Sequence, residues 1–68
     1  MPITDADLEP GARFTAPEGM SIKPVEMVVR VAWVDRERDV IHYYKEGSPE
    51  MRQTTIDRFL SIVRAKTG

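Results

Sequence analysis

The chain contains no cysteine. Disulfides, thiol catalysis and every cysteine-based zinc site are therefore excluded. It has one histidine, His42, so a pair of imidazoles at helical metal-binding spacing is excluded too. Its four glycines, Gly11, Gly19, Gly47 and Gly68, are scattered, and no phosphate-cradling loop can form from them. None of Ser21, Ser48 and Ser61 lies in a Gly-x-Ser-x-Gly elbow. No apolar run approaches the roughly 20 residues of a membrane-spanning helix. Met1 to Gly11 has neither a basic start nor an apolar stretch, and is not expected to be a signal peptide. The acidic pairs Asp5/Asp7 and Asp35/Asp39 read as a helix start and a hairpin end, not as catalytic dyads. A general base at His42 would need an orienting acid and a nucleophile, and no spacing supplies them. Neither a cofactor, a metal nor an enzymatic activity is expected.

The 68 residues are expected to form a single small domain. A domain of this size buries only about 60% of the surface its unfolded chain exposes. Ten basic and eleven acidic residues give a net charge of −1. Residues 1–22 carry one arginine against four acids, a charge of −3, and residues 23–68 carry nine basic against seven acidic residues, or +2. This basic excess is small and interleaved with acids, whereas duplex-binding domains show a clear one. The acidic start, residues 1–9, reads as a flexible arm or a docking segment.

Secondary structure follows from the pattern. Thr4 with Asp7 resembles a capping box, and Pro10-Gly11 stops that helix within about one turn. Arg13 to Ala16 reads as a first strand, and Gly19 to Pro24 as a loop. Val25 to Val34 is the main strand and Val40 to Lys45 its hairpin partner, with a charged tip over Asp35 to Asp39. With Arg36-Glu37-Arg38 as the loop, Trp33 opposes Ile41, Val31 opposes Tyr43 and Val29 opposes Lys45. That register gathers Val29, Val31, Trp33, Ile41 and Tyr43 on one apolar face. It also sets Asp35 against Asp39, a mild repulsion. The other face pairs Arg30 with Tyr44, Ala32 with His42 and Val34 with Val40. Glu46 to Pro49 is a turn, and Met51 to Thr54 a third strand. Met20, Met27 and Met51 read as core or rim fillers.

The last segment has two readings. Ile56, Phe59, Leu60 and Val63 fit an amphipathic helix over 55–65, capped by Thr54 with Asp57. They also fit a single turn at Ile56 to Phe59 followed by a strand from Leu60 to Arg64. The second completes a mainly β domain, a small SH3-like barrel of about five short strands. The first gives an α+β domain, a three-stranded meander with a helix. Closure would protect the sheet edges, which favours the barrel.

Leu8-Glu9-Pro10-Gly11-Ala12-Arg13-Phe14, Val28 to Val31, Val40 to Tyr44, Met51 and Phe59 together resemble a group of short phage and prophage proteins of unknown function. The resemblance spans about Leu8 to Val63. It implies an SH3-like fold, a phage or prophage origin and the cytoplasm of a bacterial host cell. It supplies no active site. The acidic N-terminus and residues Ala16 to Pro24 depart from the pattern.

The expected function is binding. Arg30, His42 and Tyr44 on the second hairpin face, Arg36 and Arg38 at the tip, and Arg52 on the third strand are the candidate partner-binding residues. Arginine and tyrosine are enriched where proteins meet partners. A protein partner, with modulation of a host factor, is the leading expectation. A nucleic-acid module using the same basic and aromatic face is the alternative, and a homo-oligomer suits so small a domain.

Overall fold

The computed structural model describes residues 3–18 and 25–67. It is mainly β. Five antiparallel strands form one sheet: β1 Arg13–Glu18, β2 Val25–Asp35, β3 Val40–Lys45, β4 Met51–Thr55 and β5 Ala65–Thr67. One short helix, α1 Ile56–Ile62, stands between β4 and β5. The strand order is β4-β3-β2-β1-β5, so β4 and β5 are the two edges. The loop expected over Gly19 to Pro24, with Met20, lies outside the described residues.

The core follows the alternation on one side of the sheet. Phe14, Ala16, Val29, Val31 and Ile41 point inward from β1, β2 and β3 and are buried. Ile56 and Phe59 of α1, with Leu8 and Val63, cover them. Phe59 is the hub. Its ring meets Phe14 edge-on at 5.7 Å and Tyr43 at 5.0 Å, the geometry aromatic quadrupoles favour. Pro17 sits within β1, opposite Glu26. β5 pairs only with Arg13 to Thr15, so the strand is already an edge at Pro17, where proline is tolerated.

The C-terminal segment combines both readings. Thr55 caps α1 by accepting a hydrogen bond from the Arg58 amide at 3.2 Å, so the cap is one residue later than Thr54. The helix runs two turns instead of one. The last strand begins at Ala65, not Leu60, because Leu60 and Val63 are spent packing the helix and its exit against the core. The Arg64 amide donates to the Thr15 carbonyl at 2.7 Å and leads the chain into β5.

The N-terminal segment begins as expected, with Thr4 at the N-cap of a 3-10 turn over Asp5–Asp7. The Thr4 amide donates to the Asp7 carboxylate at 3.0 Å. From Ile3 on, this acidic start is docked. Leu8 is in the core, Arg36 pairs with Asp5, and Lys66 lies 3.6 Å from the Asp7 carboxylate.

The hairpin register departs from expectation at one point. Val29 opposes Lys45, Arg30 opposes Tyr44 and Val31 opposes Tyr43, as read from the sequence. Beyond Val31 a β-bulge leaves Ala32 without an opposed residue. Trp33 then faces His42, Val34 faces Ile41 and Asp35 faces Val40. A bulge inserts one residue and so exchanges the two faces of the strand beyond it. Val34 moves to the core side and Trp33 to the outer side. The Asp35–Asp39 repulsion disappears with the change. Asp39 instead closes the tip with φ of 58°, a left-handed conformation that aspartate tolerates better than most residues.

Candidate functional site

The bulge builds the site. Trp33, expected in the core, is 48% exposed on the outer face. Its indole stacks on the His42 imidazole with centroids 4.1 Å apart and planes 9° from parallel. Cross-strand pairs of this kind fix each other's rotamers. Gln53 of β4 opposes His42, so Trp33, His42 and Gln53 form a row across three strands. Around this row lies a shallow depression of about 350 Å³, lined by Trp33, Asp35, Arg38, Val40, His42 and Gln53. Arg38 projects from the tip with its side chain 84% exposed. Its backbone amide donates to the Asp35 carboxylate at 3.2 Å, and its guanidinium lies 3.9 Å from the same group.

A second row lies one step along the strands. Arg30 opposes Tyr44, and Tyr44 opposes Met51. Met51 is 55% exposed, not a filler. Arg13, opposite Arg30, binds Glu46 through two hydrogen bonds of 2.8 and 3.1 Å. Arg30 lies 3.8 Å from the same carboxylate, and its Nε is buried without a hydrogen-bond partner. One acid thus serves two arginines. Bidentate arginine–carboxylate geometry has fixed orientation as well as charge.

The candidate residues separate into three groups. Arg30, His42 and Tyr44 share the outer face, and Arg38 reaches the same depression from the tip. Arg36 turns away to the N-terminal turn, where it pairs with the Asp5 carboxylate and donates to the Asp5 and Leu8 carbonyls at 3.3 and 3.4 Å. Arg52 opposes Tyr43, which packs on Phe59, so it belongs to the core side of the sheet at the exposed β4 edge. Trp33 is the residue that sequence reading missed. The signal was Asp35: unbroken alternation puts this acid on the core face, which a buried sheet does not allow.

The depression holds His42 and Asp35, the two groups an enzyme reading asks for. The Asp35 carboxylate is engaged by the Arg38 amide, and the lining includes no hydroxyl or thiol nucleophile. Among the described residues no three metal-ligating side chains gather, and no helix is long and apolar enough to cross a membrane. No protein-family model, curated protein or solved structure matches the chain.

Proposed function

We propose that the chain is a small non-enzymatic binding module that holds a protein partner on the outer face of β2, β3 and β4. The observation that carries this reading is the half-exposed Trp33 stacked on His42 beside the exposed Arg38. Tryptophan, tyrosine and arginine are the residue types that dominate binding energy at protein interfaces. A stack formed in advance costs less ordering on binding than a mobile side chain. The partner surface that fits offers an apolar or aromatic group to Trp33 and a carboxylate to Arg38.

The charge pattern favours protein over nucleic acid. Arg13 and Arg30 share Glu46, and Arg38 shares Asp35. Among the described residues the face has no row of uncompensated cations to follow a phosphate backbone. The aromatic row would still suit stacked bases, which keeps a single-stranded nucleic acid as the second reading. The strand order, with a short helix before the last strand, supports an SH3-like topology, but β4 and β5 do not pair, so the closure expected to protect the sheet edges is not made among the described residues. The resemblance to short phage proteins, themselves of unknown function, supports a setting in a bacterial host cell, and a host factor there is the partner we propose.

A tagged pull-down from the native host tests the reading, comparing the natural chain with Trp33→Ala and Arg52→Ala. The partner should be lost with Trp33→Ala and kept with Arg52→Ala. Full retention by Trp33→Ala defeats the proposal. Quenching of Trp33 fluorescence by a single-stranded oligonucleotide at about 50 mM salt, where phosphate contacts are strong, would favour the second reading.

A further inference from the structure

The sheet has two edges, and they are not alike. β5 is three residues long and carries Lys66, which lies 3.6 Å from Asp7. Short length and an inbound lysine are protections against edge pairing. β4 spans five residues, Met51–Thr55, with no proline and an unbroken register against β3; its one charge, Arg52, lies on the core side as Lys66 does, so the two edges differ in length and not in having an inward charge. Met51, Arg52, Gln53 and Thr55 are exposed. Alternate backbone groups of an edge strand point away from its one neighbour, so half of those in β4 face outward. Ile56 and Phe59 hold helix α1 against the core, and four of the five β4 residues stay exposed.

We infer that β4 pairs antiparallel with β4 of a second copy of this chain, about a twofold axis at Gln53. The sequence of the strand selects this occupant and this register. Centred on Gln53, Met51 meets Thr55 of the second copy, Arg52 meets Thr54, and Gln53 meets Gln53. All five residues are paired. The one charge of the strand faces a threonine. Centring on Arg52 sets two guanidinium groups opposite each other, which is repulsive. Centring on Thr54 runs Arg52 against Ile56, where the strand has already become helix. Both kinds of antiparallel residue pair have a twofold axis at their centre, so the geometry closes whichever way the Gln53 backbone points. The result is isologous: each copy gives and receives the same edge. It also joins two outer faces, with Trp33, His42 and Gln53 of one copy running on into Gln53, His42 and Trp33 of the other. The pairing is made by the β4 backbone and shares only Gln53 with the depression on the outer face, so either can fail alone.

The cysteine-free chain permits a direct test in the full-length protein. In Gln53→Cys the two Cβ atoms would lie about 4.5–5.5 Å apart across the axis. In Met51→Cys the two thiols would be offset by four residues, about 13 Å along the strands. Disulfides need Cα atoms within about 7 Å. Under mild oxidation Gln53→Cys should form covalent dimer at least about tenfold faster than Met51→Cys, read on non-reducing gels. Sedimentation of the natural chain over a concentration series should show reversible dimer, and Gln53→Lys, which opposes two cations on the axis, should shift it to monomer. Circular dichroism establishes that each variant is folded. Equal cross-linking at the two positions, no cross-linking at either, or a monomer at every concentration overturns the inference.

Discussion

The two faces of this sheet are made by the same strands and do opposite work. The inner face gathers Phe14, Val29, Val31 and Ile41 under Phe59 and excludes water. The outer face carries Trp33 and His42 in a stack, Arg13 and Arg30 on one glutamate, and an exposed Met51. The switch between them is one residue, Ala32, left out of the pairing. A tryptophan that would bury well is turned to solvent, and Val34 replaces it on the core side. Folding therefore does not require Trp33 where it stands. An exposed aromatic of that size, already held by a stacking partner, is the feature on which the proposed binding role rests.

The largest expected effect tests the inner face. Phe59→Ala removes a ring fully enclosed by Phe14, Tyr43 and the β-sheet core, and should cost about 3–5 kcal/mol in urea denaturation. In so small a domain that is a large share of the whole stability. Trp33→Ala should behave differently. Losing the stack costs about 0.5–1.5 kcal/mol beyond the burial of the covered half of the indole, a total below that of Phe59→Ala, while partner capture should be abolished. If the two substitutions destabilise equally, the faces are not distinct and the outer one is part of the core.

The difference between the faces explains what could be read in advance. Strand positions, the Val29–Lys45 to Val31–Tyr43 register and the buried valines follow from period-two alternation, which is a local property. The bulge is not local in that sense. It resolves competing demands: Asp35 must leave the core, Val34 must enter it, and the tip must close through Asp39 in the left-handed region. A single alternating pattern satisfies only some of them. The same limit applies to residues 56–67. Ile56, Phe59 and Val63 fit helix spacing, and the Arg64 amide then finds the Thr15 carbonyl. Only the tertiary partner shows where helix gives way to strand. Arg30, His42 and Tyr44 were legible as a surface group. Arg36 and Arg52 were not separable from it, because their fates depend on Asp5 and on the position of Tyr43.

Arg36 provides a smaller test, at the junction of tip and N-terminus. It pairs with Asp5 and donates to the Leu8 carbonyl, so it links the charged tip to the turn that seats Leu8 in the core. The groups are half exposed, and solvent screening limits the pair to about 0–1 kcal/mol. Arg36→Ala should therefore leave the unfolding midpoint nearly unchanged. It should speed amide exchange at Asp7 and Leu8, whose N–H groups donate to Thr4 and Asp5 within that turn, and leave partner capture intact. Loss of capture would return Arg36 to the proposed binding surface and extend that surface from Arg38 to the N-terminal turn.

The smallest effect is electrostatic and lies at Asp7. The hydrogen bond from the Thr4 amide holds its carboxyl below the ordinary value of 3.8; partial burial works against this, and the nearby Lys66 ammonium adds to it. Both favourable contacts need the ionised form. A carboxyl depressed in the folded state stabilises it above the unfolded value and loses that contribution as pH falls through the folded one. Thermal unfolding of Asp7→Asn should therefore lie below that of the natural chain at neutral pH. The gap should close as pH is lowered through and below 3.8. Added salt should narrow it at neutral pH through the Lys66 contribution and leave the amide hydrogen bond in place. A gap that stays constant with pH would mean that the substitution alters the turn itself. The seat of Leu8, and with it the N-terminal side of the inner face, would then depend on the shape of that carboxylate more than on its charge.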